Sequence, residues 1–418
     1  MFTWRYLLQL GFIAVLLTGC SSAQNRPEAA AAPGAQAPIP PDSSVPRVRI
    51  GPPPEQGAAS TIGSEGGADT TDTQRSAVAT PDGRMRADVL AYTQQLAGAR
   101  GLPVDQLNGV LADARYSPAV ARLIAPPPGR KISRSWLTYR ARVVEPKRIG
   151  WGMTFWQDNA DTLDQAAQRF GVPPSIIVSI IGVETLYGRN MGSFRVLDAL
   201  STLAFDYPDP TKPERAQLFR DQLADFLTLT LQGRLDVQTL GSYAGAIGMP
   251  QFMPGSIMRY AVDGDGDGHI DLANSPRDAI LSIGNFLMEH GWQRGIPVFA
   301  PVALPADAAQ LVDGGLAPTR TWPQLQASGA VAAPSATPTA TPTSDDGWQR
   351  GMLGVIDLPE ESAGTAEYRT ATVNFFALTQ YNRSYFYAAS VADLAAAIQA
   401  RMRAVAARPV QLNTPVDR

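Results

Sequence analysis

The stretch Ser175-Ile-Ile-Val-Ser-Ile-Ile-Gly-Val-Glu-Thr-Leu-Tyr-Gly-Arg189 carries the reading on which the fold turns. Pro173 and Pro174 fit the first turn of a helix, where a missing N–H is no loss, and Gly188 fits its end. Ile177, Ile180, Ile181 and Glu184 stand at positions i, i+3, i+4 and i+7, on one helical face. A face of isoleucines is a core face, so this glutamate is expected to be largely buried. Desolvation disfavours a carboxylate and raises its pKa. A carboxyl that holds its proton near neutral pH is suited to general-acid work. Two plainer readings stay open on this pattern alone. The glutamate turns out to solvent at the helix end, or it pairs with Arg189 or Arg195.

Outward from this helix the patterning is mostly helical. Upstream, residues 85–97, 104–115 and 118–124 read as helices. Ser133 is expected to cap a helix carrying Trp136, Leu137 and Tyr139, and 146–170 reads as one longer helix ending at Gly171. Downstream, 215–231, 256–261, 276–290 and 391–406 read as helices. Strands are expected at 298–303, 352–358 and 367–376. Residues 328–346, low in complexity, read as a flexible insertion. The expected fold class is mainly α with a small β subdomain (α+β). Its expected divisions are a helical region over 81–297, a β-containing subdomain over 298–375, and a helical segment over 376–418 that completes the core.

The chain has 418 residues, 44% of them hydrophobic, enough for a large core. A net charge of −3 gives no broad attraction to nucleic acid and suits a neutral or wall-embedded substrate. Two histidines leave little material for a histidine triad or zinc site, and the single cysteine, Cys20, excludes an intramolecular disulfide. Arg5 and the apolar run 7–17 form an export signal too short to be a permanent membrane span. It ends in Leu17-Thr-Gly-Cys20, which resembles a bacterial lipobox. In that pattern residues 1–19 are cut away and Cys20 carries lipid. Ser21 after the cysteine matches sorting to the periplasmic face of the outer membrane. The plainer reading is a buried N-terminal helix with a chance cysteine. From residue 20 to about 80 the chain is rich in Ala, Pro, Gly and Ser, and reads as a disordered tether.

Asp263-Gly-Asp-Gly-Asp-Gly-His-Ile-Asp271 matches the first half of an EF-hand calcium loop. Asp263, Asp265 and Asp267 take positions 1, 3 and 5, Gly268 the sharp turn, and His269 the position that offers a backbone carbonyl. The match then fails, because Asn274 stands where the loop's closing glutamate belongs. An Asp-Gly turn without metal is the alternative.

Four ordered blocks resemble the membrane-bound lytic murein transglycosylase B family. They are Gly182-Val-Glu-Thr-Leu-Tyr-Gly-Arg189, Leu200-Ser-Thr-Leu-Ala-Phe-Asp-Tyr-Pro208, Ser242-Tyr-Ala-Gly-Ala-Ile-Gly-Met-Pro-Gln-Phe-Met-Pro254 and Tyr260-Ala-Val-Asp-Gly-Asp-Gly-Asp-Gly-His-Ile-Asp-Leu272. The resemblance spans about 80–400 without the insertion, and implies a lysozyme-like helical core. It implies cleavage of the β-1,4 bond between N-acetylmuramic acid and N-acetylglucosamine in peptidoglycan glycan strands. The muramic C6 hydroxyl attacks its own C1 and leaves a 1,6-anhydro end, so no catalytic cofactor is needed. Glu184 would serve as acid and then base. The two-carboxylate glycosidase scheme has no clear second member here, although Asp198, Asp206 and Glu289 are possible neighbours. By the same resemblance Ser242 would bond near Glu184 or the substrate, and Gln251 would contact the sugar. Arg215 would match a cleft arginine, across a longer link than the family's. Tyr381 and Asn382, in Asn374-Phe-Phe-Ala-Leu-Thr-Gln-Tyr-Asn382, would face the site; core packing and a turn role are their plainer readings. Asp278 would supply the last ligand of a structural calcium. A water-using muramidase, a non-catalytic peptidoglycan-binding lipoprotein that scaffolds other cell-wall enzymes, and a calcium-dependent interaction module are the rival functions.

Overall fold

The computed structural model describes residues 76–125, 133–333 and 347–407. The expected signal segment, Cys20, the tether up to residue 75, residues 334–346 of the insertion and residues 408–418 lie outside the described residues. Helices come first: α1 (Ala87–Arg100), α2 (Val104–Ala112), α3 (Pro118–Ile124), α4 (Trp136–Val143), α5 (Pro146–Asp158) and α6 (Ala160–Phe170). The helix of the opening stretch is α7 (Pro174–Thr185). It is followed by α8 (Val196–Phe205), α9 (Pro213–Leu231), α10 (Pro254–Tyr260) and α11 (Pro276–Glu289). A short ladder, β1 (Phe194–Arg195) with β2 (Leu240–Gly241), brackets α8 and α9. The β-containing part holds β3 (Val302–Ala303) paired with β4 (Val331–Ala332), α12 (Trp322–Ala327), and the hairpin of β5 (Gly354–Glu360) and β6 (Thr365–Ala371). The chain closes with α13 (Val373–Tyr381) and α14 (Tyr385–Ala406). The chain is thus mainly helical with small antiparallel sheets, as expected.

Helix starts follow from cap–proline pairs. Ser117, Glu145 and Ser275 each accept backbone N–H groups of the turn ahead of them, with Pro118, Pro146 and Pro276 next in line. Several boundaries differ from the sequence reading. The expected helix over 146–170 breaks at Asn159, whose Nδ2 donates to Phe155 O at 2.9 Å, closing α5 before α6 begins. Ser135, not Ser133, caps α4, accepting from Thr138 N. The strand expected to reach residue 376 ends at Ala371, because the Thr372 hydroxyl accepts the Asn374 N–H and starts α13. The last helix begins at Tyr385, six residues earlier than read, behind Ser384 as its cap. Only Val302 and Ala303 of the 298–303 segment form a strand.

All residues of α7 from Ser175 to Thr185 are buried, so the helix has no solvent face. It packs against α5, α6, α11 and α14. Burying each of Ile177, Ile180 and Ile181 stabilises the fold by about 1.5–3 kcal/mol. The β5–β6 hairpin lies between two apolar clusters. Ile356 and Leu358 join the main core, while Leu353 and Val355 join a smaller one with Trp322, Leu325 and Trp348. The packed body also reaches back into the expected tether. Ala77 and Val78 are fully buried in the main core, and Ser76 and Ala79 bridge to Arg115 and Met85. The folded part therefore starts no later than residue 76.

Candidate active site

The last turn of α7 delivers Glu184, and an unusual exit follows it. Leu186, Tyr187 and Gly188 all have left-handed backbones, at φ 52°, 61° and 80°. For the two non-glycine residues this costs about 1–3 kcal/mol each and persists only where the surroundings enforce it. They do. Tyr187 folds back over its own helix and donates from Oη to Arg148 O at 3.0 Å. A Cβ at Gly182 or at Gly152 would lie 2.5 Å from that oxygen, so only glycine fits at either place.

Glu184 is only 4% exposed. Tyr387 of α14 donates from Oη to Glu184 Oε1 at 2.6 Å. Burial pushes the Glu184 carboxyl up to about 8, and the tyrosine bond, which favours the carboxylate, opposes that shift. The arginines considered as its partners are engaged elsewhere. Arg189 lies over the Trp151 ring and donates to Leu186 O, and Arg195 pairs with Asp113 and Asp198. The three possible second carboxylates are also occupied or distant in environment. Asp198 accepts from Arg195 and the Arg115 N–H, Asp206 pairs with Arg86, and Glu289 is exposed at the end of α11.

Tyr381 lies beside this pair. Its ring stacks on Tyr387 at 6.3 Å between centroids and 13° between planes, and its Oη donates to Pro250 O at 2.5 Å. Burial first, then the nearby Glu184 charge, raise its phenol well above the usual range. Pro250 precedes Gln251, a buried residue with a left-handed backbone at φ 51°. Gln251 Nε2 donates to Met191 O (3.2 Å) and Gly248 O (3.0 Å), which ties the 248–251 segment to the loop leaving α7. Asn382, directly after α13, is buried as well. Glu184, Gln251 and Tyr381 are thus linked through α7, the 248–251 segment and α13. Ser242 serves its own turn, its Oγ accepting from Ala244 N and Ala246 N. Arg215 stands in the first turns of α9, where its charge acts on Tyr207 rather than on Glu184. Sequence reasoning missed Tyr387 altogether; the Ser384 cap, which makes Tyr387 part of a helix, was the available signal.

The Asp-Gly loop forms a separate centre. Ligand oxygens of Asp263, Asp265 and Asp278 all lie within 4.8 Å of one another. Asp263 is wrapped by the N–H groups of Gly266 and Gly268, at 2.7 and 2.9 Å. Asp278 is buried in the first turn of α11 and accepts from Gly264 N and Asp271 N. Burial, with the Asp265 charge as a lesser contribution, raises the Asp278 carboxyl. Three converging carboxylates, one of them buried, repel one another, and a hard cation fits such a donor set. Asp267 is outside this trio; its Oδ1 accepts the His269 N–H at 2.7 Å.

The Transglycosylase SLT domain model matches residues 85–396. The chain is 36% identical over 318 residues to the membrane-bound lytic murein transglycosylase B of Escherichia coli K12, covering 73% of this chain and 81% of that protein. Among solved structures, E. coli lytic transglycosylase Slt35 in complex with calcium superposes with a TM-score of 0.64 at 32% identity, over 80% of this chain and 98% of that one. SltB3 of Pseudomonas aeruginosa in complex with NAG-anhNAM-pentapeptide gives 0.62 at 28% identity, over 75% and 79%. With the family model spanning both the helical body and the β hairpin, the chain belongs to the SLT-domain transglycosylases and is a lytic murein transglycosylase, an enzyme of peptidoglycan cleavage.

Proposed function

We propose that Glu184 alone supplies acid and base for a water-free cleavage that leaves 1,6-anhydromuramic ends. The observation that carries this reading is the isolation of the Glu184 carboxyl: buried, held by one tyrosine hydroxyl, and, among the described residues, with no carboxylate among the groups that shift its proton affinity. With its pKa near 8 it is protonated at neutral pH. Oε1 receives the Tyr387 hydroxyl, which leaves Oε2 to present the proton. In the first step Oε2 gives that proton to the glycosidic oxygen as the C1–O bond breaks. The muramic C6 oxygen then bonds to C1, and its proton passes to the Glu184 carboxylate, which restores the starting state. The attacking hydroxyl belongs to the same sugar, so a second carboxylate to activate water is unnecessary. Glycan complexes of relatives such as SltB3 support the same substrate class for this chain. Glu184→Gln keeps the shape and cannot transfer the proton. Its rate should fall by about 10²–10⁴-fold with folding intact. Wild-type products read by mass spectrometry should be one water (~18 Da) lighter than hydrated ends, by the intramolecular closure. Hydrated ends would instead favour a muramidase, and near-normal turnover in Glu184→Gln would remove Glu184 from the chemistry.

Asp263, Asp265 and Asp278 would hold a structural calcium, assisted by Asp267 and the His269 carbonyl. The calcium complex of Slt35 supports this assignment. Bound there, the ion would offset the repulsion within the acidic cluster and fix the loop to the start of α11.

Cys20 would carry the lipid that anchors the chain at the periplasmic face of the outer membrane. The lipobox pattern and the membrane-bound E. coli relative support it. Among the described residues no single helix is long and apolar enough to cross a membrane. Fractionation tests the anchor: wild type should follow the membranes and Cys20→Ser should not.

A further inference from the structure

Thr185 follows Glu184 in the chain, is fully buried, and takes no part in the proton transfers above. A threonine inside a helix can satisfy its hydroxyl on the carbonyl four residues back, and a purely structural threonine needs no more than that. Thr185 does more. The single proton of its Oγ1 is shared between Ile181 O at 3.2 Å, within the helix, and Met249 O at 3.1 Å, outside it. The same oxygen accepts the Gly188 N–H at 3.0 Å, across the two strained left-handed residues. Its backbone carbonyl accepts the Asn190 N–H at 2.9 Å.

Met249 stands two residues before Gln251, and the Gln251 amide reaches back to Met191 O. Two straps therefore join the loop leaving α7 to the 248–251 segment. The Thr185 hydroxyl is the strap fastened next to the acid itself. We propose that Thr185 is a positioning residue: its hydroxyl fixes the Glu184 end of α7 against the Gln251 segment, so that both meet the glycan as one rigid piece. The inference rests on the reading of Glu184 as the acid.

The test compares Thr185→Val, which keeps the buried shape and loses the hydroxyl, with Thr185→Ser, which keeps the hydroxyl. Glu184→Gln is run alongside, all in the full chain on purified peptidoglycan. A small misplacement of a catalytic group costs about 10²-fold in rate. Thr185→Val should lose about that much in kcat. Its alkaline pH limb should stay in place, because burial and Tyr387 set the Glu184 proton affinity. Thr185→Ser should recover most of the rate. The Gly188 amide should exchange with solvent faster in Thr185→Val than in Thr185→Ser. If Thr185→Val does not fold, Thr185→Cys, with a weak thiol donor in the same place, is compared with Thr185→Ser on the same measures. Wild-type kcat in a folded Thr185→Val or Thr185→Cys, or a Thr185→Ser as slow as either, would overturn the inference. An active Glu184→Gln would overturn the acid reading itself. An inactive Glu184→Gln beside a fast Thr185→Val would overturn only the role of Thr185.

Discussion

At Glu184 two opposed effects act on one proton. Burial raises the carboxyl, the Tyr387 hydroxyl lowers it, and the balance stands at about 8. The acid form therefore prevails through neutral pH, and activity should decline as pH rises through about 8 and that form is lost. Tyr387→Phe removes the bond that favours the carboxylate, so the proton is held more tightly and the alkaline limb should move upward. A hydrogen bond to a charged group is worth about 1.5–3 kcal/mol, which corresponds to about one or two pH units. A kcat/KM profile against pH checks this, and an unchanged or lowered limb would contradict it. The burial of Glu184 was legible in the sequence, written into its own helix by the isoleucines one and two turns before it. Tyr387 was not, because it lies 203 residues away and the contact belongs to tertiary packing. Gln251 was singled out only through its motif; no periodicity marks a left-handed glutamine in a turn.

Elements announced themselves where a cap precedes a proline, as at α3, α5 and α11, and were lost where neither period nor cap stands out. The segment 196–205 is almost continuously apolar and buried, so its helix, α8, shows no polar face to read. Thr372 and Asn159 show a further limit. One side-chain bond to a neighbouring backbone group decides where an element stops, and local hydropathy does not register it. At α11 the cap and the acidic cluster share a residue: Asp278 gives its N–H to Ser275 Oγ while its carboxylate faces Asp263 and Asp265. Calcium should therefore stabilise a helix start as well as a loop. At a hundred times its dissociation constant a native-state ligand adds about 2.7 kcal/mol of stability. Thermal denaturation should show a higher Tm with calcium than with chelator, and Asp265→Asn should remove most of the rise. A wild type indifferent to calcium would leave the trio as a bare turn.

On the scale of the whole molecule, the ends of the described chain are drawn into one core. Ala77 and Val78 sit at the front of it and α14 at the back. A chain beginning at residue 81 forfeits the burial of Val78, worth about 1.5–3 kcal/mol. Urea unfolding should find it less stable by about that amount than a chain beginning near residue 70, which is expected to behave like the wild type. Equal midpoints would mean that residues 76–79 contribute nothing. Composition placed this boundary a few residues late, because two small apolar side chains in a polar stretch carry little weight in a composition reading, yet both are wholly enclosed. The bond from Tyr387 to Glu184 has a consequence in time. A ribosome makes the glutamate first and the tyrosine only after two hundred further residues. A nascent or prematurely ended chain that lacks α14 has the carboxyl without its hydroxyl donor and without the wall of its burial. A chain ended before α14 is therefore expected to hold Glu184 without the enclosure that raises its pKa, as a more ordinary carboxylate.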